Sequence, residues 1–194
     1  LEEVIDVMVS GERKAQNIVR LHTGDPTIYG AIREQMDILD EKGISYEVVP
    51  GVSSFTAACS AIKREFTLPE VSQTVILTRI EGRTSVPESE DLEKLASYGA
   101  SMAIFLSIQQ IDNVIEKLKK GYGRSDVPIA VVYKATWKDE KTIMGTLEDI
   151  ADRVKAEGIN KTAQILVGDF IGDSYERSKL YDPKFTHEYR KASK

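Results

Sequence analysis

The chain has 194 residues, 41% of them apolar, enough for a real core in one large or two small domains. Its 26 basic and 31 acidic residues leave a formal charge of -5 with no long basic block, which argues against nucleic acid as the main partner. Cys59 is the sole cysteine, which excludes an internal disulfide or a cysteine-rich zinc site; with no membrane-length apolar run and no signal peptide, a cytoplasmic protein is expected.

Val4, Ile5 and Met8 fall at helical spacing, and Ser10-Gly11 ends that pattern. The chain opens on Leu1, directly in a helix. A natural polypeptide that extends upstream of Leu1 is therefore expected. The apolar run Ile18-Val19-Arg20-Leu21 reads as a strand, and His22-Thr23-Gly24-Asp25-Pro26-Thr27-Ile28-Tyr29-Gly30 as the tight turn after it. Gly24 permits close backbone approach, Pro26 fixes φ, and Asp25 is the turn's only charge. Asp25 fits either a ligand site or a plain helix N-cap. Ala31 to Lys42 carries Ile32, Met36 and Leu39 on one face, and Gly43 closes it as a C-cap. Ile44 to Val49 then reads as a strand, completing a strand-helix-strand unit of the size of a parallel crossover.

A second turn, Pro50-Gly51-Val52-Ser53-Ser54, leads into a helix of small residues reaching Ala61 and Ile62. Its hydroxyls can cap the helix or bind a ligand, and Cys59 within it reads as a buried structural thiol. Two such turns, each after a strand, would lie together on one sheet edge, where α/β proteins bind ligands. Thr74 to Thr78 is a further strand, and the polar stretch Glu81 to Glu88 marks the junction between an N-terminal α/β domain, residues 1–79, and a C-terminal one, residues 80–194.

From Asp91 the pattern alternates again. A helix to Ala96, a strand Met102 to Leu106, a helix Ile111 to Lys119 and a strand Ile129 to Tyr133 precede the turn Lys134-Ala135-Thr136-Trp137. A strand around Thr142 to Gly145, a helix Leu147 to Lys155 and a strand Gln164 to Val167 complete a mixed sheet, because the short Lys138 to Lys141 link suits a hairpin. Trp137 and Tyr133 read as core or rim aromatics, with core the first expectation. Residues 175–194 are basic and aromatic, fitting either a solvated tail or a surface for an anionic conjugated ligand. The two histidines, His22 and His187, lie far apart in sequence, so neither Cys/His nor Ser/His catalysis has a signature.

The two turns, together with Leu77-Thr78-Arg79-Ile80-Glu81-Gly82-Arg83-Thr84 and Tyr133-Lys134-Ala135-Thr136-Trp137, resemble the tetrapyrrole methylases. The ending Arg177-Ser178-Lys179-Leu180-Tyr181-Asp182 with Phe185-Thr186-His187 is similar to the branch that methylates C-11 of precorrin-4 or its cobalt-bearing form in cobalamin biosynthesis. The resemblance covers essentially the whole chain, except that nothing like the family's opening Gly-x-Gly-Pro-Gly-Asp-Pro loop precedes Leu1. It implies two α/β domains with a ligand cleft between them, usually in a homodimer, and S-adenosylmethionine as methyl donor. It places cofactor contacts on Thr23, Gly24, Asp25, Ile28, Ser53, Ser54, Leu106, Ala135, Ala163 and Gln164, with Leu106 where relatives often have Met. Asp25 and Tyr29 are candidates for a role in the reaction, no protein metal site is implied, and any cobalt would ride in the substrate. Methylation at another ring position of a related tetrapyrrole, or a non-catalytic corrinoid- or nucleotide-binding module, are the alternatives.

Overall fold

A computed structural model describes residues 1–12, 14, 17–182, 184–186 and 188–191. His187, part of the sequence pattern quoted above, lies outside the described residues. The chain divides into two compact units, Leu1–Ser54 and Phe55–Lys194.

In the first unit, α1 (Glu2–Glu12) lies against α2 (Arg33–Glu41), with Ile5 and Leu39 buried. Helix α2 is capped at its C-terminus by Lys42, and Gly43 follows at φ +65°, the left-handed conformation that closes a helix on glycine. The helix begins two residues later than the apolar pattern suggested, because Ala31 is itself left-handed at φ +49°. The expected strands at 18–21 and 44–49 carry no ladder, so this unit has no sheet among the described residues. Alternating apolar residues announce a surface to be covered; a strand also needs a neighbour for its N–H and C=O groups. Val19, Leu21 and Val49 are correspondingly exposed.

The second unit holds one five-stranded sheet in the order β1-β2-β5-β3-β4. The strands are β1 (Val75–Arg79), β2 (Ser101–Phe105), β3 (Pro128–Tyr133), β4 (Lys141–Thr146) and β5 (Ala163–Val167). Strand β1 runs parallel to β2, and every other pairing is antiparallel, giving the expected mixed sheet with β3 and β4 as a hairpin. The placement of β1 corrects the sequence reading, which put it in the N-terminal domain and the junction near residue 80. Its register with β2, from Val75 opposite Ser101 to Arg79 opposite Phe105, makes it part of this sheet, and the compact units part between Ser54 and Phe55.

Among the described residues the α-helices of this part of the chain are α3 (Ser54–Ala61), which starts at the last residue of the first unit, α4 (Leu92–Ala96), α5 (Ile111–Tyr122) and α6 (Ile150–Ala156). Helix α5 buries Ile111, Val114, Ile115 and Leu118, the i, i+3, i+4, i+7 set of one face, and stops at left-handed Gly123. Asp91 caps α4 by accepting the Glu93 N–H at 3.0 Å, and its other oxygen meets Lys117 of α5 at 2.5 Å. The core joins Met102 and Ile104 of β2, Ile129 and Val131 of β3 and Ile165 and Val167 of β5 with Leu118, Ile150 and Val154 from the helices. Trp137, expected inside, is exposed in the turn after β3, where Lys134 Nζ sits 5.4 Å from its ring centre and 5.0 Å from that of Tyr133. A seven-residue hairpin connection holds its side chains beyond the sheet, so no second layer covers them.

Candidate functional site

The candidate residues fall into two clusters, one in each unit. In the first unit the turns at 22–30 and 50–54 meet backbone to backbone. A Cβ placed on Gly51 would lie 2.2 Å from the Gly24 carbonyl oxygen, so only glycine allows this approach. Gly24 has φ +69°, and the atoms nearest its own missing Cβ are Ser53 Cα, Ser54 N and Val52 O, all at 3.6 Å. Thr23, Gly24, Ser53 and Ser54, some thirty residues apart in the chain, are thereby brought side by side.

Asp25 ties this arrangement together. One carboxylate oxygen accepts the Thr27 N–H at 2.8 Å and the Thr27 hydroxyl, and the other accepts the Gly51 N–H at 3.0 Å. These bonds, the Thr27 hydroxyl foremost and then the Gly51 and Thr27 amides, hold its pKa below the ordinary carboxylate value. The N-cap reading is thus corrected: α2 is preceded by Ile32, which makes no side-chain cap, and Asp25 bridges two turns instead. A helix cap needs the carboxylate next to the helix start, and left-handed Tyr29 (φ +56°) and Ala31 carry the chain away before α2 begins. Ile28 is half-buried in the turn, its N–H donating to the Asp25 carbonyl at 3.3 Å, while the Tyr29 ring is largely exposed.

In the second unit, Leu106, Ala135, Ala163 and Gln164 collect at one end of the sheet: β2 and β3 finish there and β5 begins there. Leu106 follows the last residue of β2 at φ +53° and is 77% exposed, a large apolar side chain held out from the strand end. Lys134 (φ +47°), Thr136 (φ +74°) and Thr162 (φ +55°) share its left-handed backbone, and the Lys134 N–H donates to the Thr162 carbonyl at 2.9 Å. Four non-glycine residues in this region at one sheet end concentrate strain of the kind that binding sites retain. Ala135 is half-buried between two of them. Gln164 is buried, and its amide donates to the Ile104 carbonyl at 3.0 Å and the Ile165 carbonyl at 3.3 Å. Its side chain therefore braces β5 against β2.

The loop after β1 runs along the same sheet end and was quoted in the sequence only as a likeness, with no role. Arg79 donates to the carbonyls of Ile80 (3.2 Å), Thr84 (3.1 Å) and Ser85 (2.8 Å), curling residues 80–85 around its guanidinium. Two hollows in this unit, of about 450 and 490 Å³, are lined by residues such as Glu88, Asp91 and Lys117 or Glu70, Asp169 and Tyr175, and by none of the residues expected at the site. Among the described residues, no helix is long and apolar enough to cross a membrane, and no three His, Cys, Asp or Glu side chains group as metal ligands. Cys59 is buried as expected; its thiol donates to the Arg64 carbonyl at 3.0 Å, and burial raises its pKa to about 11.

The first cluster is built on glycine turns and the second on a strained sheet end of an α/β protein, and among the described residues neither holds a nucleophile–base pair. The chain belongs to the tetrapyrrole (corrin/porphyrin) methylases, whose family profile matches residues 1–151. A cobalt-precorrin-4 C(11)-methyltransferase of Methanocaldococcus jannaschii is 56% identical over all of this chain and 75% of its own length. A precorrin-4 C(11)-methyltransferase of Pseudomonas aeruginosa is 44% identical over 98% of this chain and 76% of its own. The X-ray structure of a cobalt precorrin-4 methyltransferase superposes with a TM-score of 0.87 at 45% identity, covering 89% of this chain and 72% of that one.

Proposed function

We propose that the protein is an S-adenosylmethionine-dependent methyltransferase acting on C-11 of precorrin-4 or its cobalt form in cobalamin biosynthesis. The observation that carries this reading is identity of 56% along the entire chain with a relative bearing that activity in its name. The two clusters fit the methyl donor chemically. A zwitterionic sulfonium nucleoside needs N–H donors for its carboxylate, acceptors for its ribose hydroxyls and an apolar surface for its base. Within the first unit, the turns around Gly24 and Gly51, with the hydroxyls of Thr23 and Ser54 beside them, offer polar groups; within the second, Leu106 and Ala135 offer apolar surface.

When bound, S-adenosylmethionine supplies an electrophilic methyl group to a ring carbon that supplies the electron pair. The protein's task is to hold both partners in line and keep water out, for which backbone and small side chains suffice. Asp25 acts as a positioning residue: a carboxylate already accepting three hydrogen bonds, with a lowered pKa, is a weak base. Thr23, Gly24 and Ile28 with Ser53 and Ser54 form the contacts of the first cluster. Leu106, Ala135 and Ala163 form those of the second, where Gln164 contributes its backbone, since its side chain is spent on the sheet. Tyr29 stands at the rim as a substrate contact. The same reading carries a cytoplasmic homodimer, which light scattering after size exclusion and cell fractionation test.

The deciding experiment incubates the protein with methyl-labelled S-adenosylmethionine and cobalt-precorrin-4 and locates the label by NMR. Label on C-11 is the expected result. Label on another carbon, or binding without transfer, overturns the assignment.

A further inference from the structure

The loop after β1 carries an arginine, Arg83, with no partner among the described residues. Of the arginines from Phe55 to Asp173, Arg64 pairs with Asp173, Arg124 with Asp126 and Asp169, Arg153 with Asp149, and Arg79 spends its donors on loop carbonyls. Arg83 alone among them has no ion pair or hydrogen bond among the described residues, and it is exposed. Several exposed lysines of the same unit are matched to carboxylates, Lys120 with Glu116 and Lys141 with Glu157 for instance.

The loop that carries this lone guanidinium is built to stay in place. Besides the three bonds from Arg79, the Ile80 N–H donates to Ser107 Oγ at 3.0 Å, and that hydroxyl donates to the Phe105 carbonyl at 2.6 Å. Gln110 Nε2 donates to the Glu81 carbonyl at 3.0 Å, and the Gly82 N–H to the Thr84 carbonyl at 3.3 Å. The consequence is a fixed loop that carries Arg83 at the sheet end where β2 finishes at Phe105, the residue opposite Arg79 in the β1–β2 register, with Leu106 next in the chain.

We propose that Arg83 docks a peripheral carboxylate of the tetrapyrrole substrate, and that Arg79 is the positioning residue that fixes its loop. This rests on the methyltransferase reading above. Tetrapyrrole precursors bear acetate and propionate substituents, and a planar guanidinium binds a carboxylate through two parallel N–H···O bonds. Holding the macrocycle by a rim carboxylate orients it without touching the reacting carbon.

The test is steady-state methyl transfer to cobalt-precorrin-4 by wild type, Arg83→Gln, Arg83→Lys, Arg79→Lys and the double variant Arg79→Lys/Arg83→Gln, with calorimetric binding of S-adenosylhomocysteine in parallel. Arg83→Gln should raise KM for the tetrapyrrole about 10- to 100-fold, as expected for a charged hydrogen-bonded pair, while S-adenosylhomocysteine affinity and melting temperature stay put. Arg83→Lys should restore part of the loss. Arg79→Lys should raise the same KM, and adding Arg83→Gln to it should raise KM by less than it does in wild type. An unchanged KM in Arg83→Gln, or fully multiplicative effects of the two sites, overturns the proposal. A wild type that binds S-adenosylhomocysteine but methylates no precorrin-4 overturns the functional reading itself.

Discussion

Replacing Gly51 by alanine probes the contact on which the first cluster depends. The new Cβ would fall 2.2 Å from the Gly24 carbonyl oxygen and 3.1 Å from its carbon, both backbone atoms that cannot swing aside. Non-bonded heavy atoms settle at about 3.5 Å, so the two turns must part by roughly 1 Å. Gly51 does not occupy the left-handed region, so alanine meets no backbone penalty of its own and the effect is purely steric. Overpacking of this kind costs about 1 to 3 kcal/mol, equivalent to roughly 5- to 150-fold in affinity if it is drawn from ligand binding. Isothermal titration with S-adenosylhomocysteine should show that loss, with a melt of the second unit, whose core lies elsewhere, unchanged. Gly24→Asn is the contrasting case: the residue is left-handed, which asparagine tolerates, and nothing lies closer than 3.6 Å. It should weaken binding less than Gly51→Ala. Wild-type affinity in a folded Gly51→Ala protein would refute the view that these turns form the ligand cradle.

Asp25→Asn should loosen the turn pair, because its amide nitrogen would face N–H groups of Gly51 or Thr27. Since folding lowers the Asp25 pKa, its contribution to stability is complete above the unfolded value of about 3.9 and is lost as pH falls through the lower folded value. Wild type and variant should therefore differ at pH 7 and converge in strong acid; parallel stability curves across that range would contradict the assignment. Gln164→Ala should lower the stability of the second unit by about 1 to 3 kcal/mol through loss of its buried hydrogen bonds, read by chemical denaturation. Loss of cofactor affinity with unchanged stability would show instead that the side chain serves the ligand. Cys59, buried and with its pKa raised to about 11, should react with a thiol reagent at pH 8 only as fast as the protein unfolds; rapid labelling of the native protein would contradict its burial.

Local pattern settled a good deal of this protein. The buried face of α5, its glycine stop, the β3–β4 hairpin and the small-residue helix around Cys59 all follow from spacing and turn chemistry, because each is decided by residues a few positions apart. The two turns were also legible as turns, from Gly24, Pro26 and Gly51. What the sequence left open was every choice of distant partner. Asp25 looked equally like a cap, and only the meeting of residues 25 and 51 makes it a bridge. Strand β1 carries nothing in its five residues to say which sheet takes it, and the apolar runs at 18–21 and 44–49 promise strands that acquire no ladder among the described residues. Trp137 looked like core, yet the long hairpin link holds it outside. Helix, turn and cap preferences are short-range free energies that one segment satisfies alone, whereas strand pairing, burial and long-range hydrogen bonds belong to two segments at once, and only the folded chain brings both together.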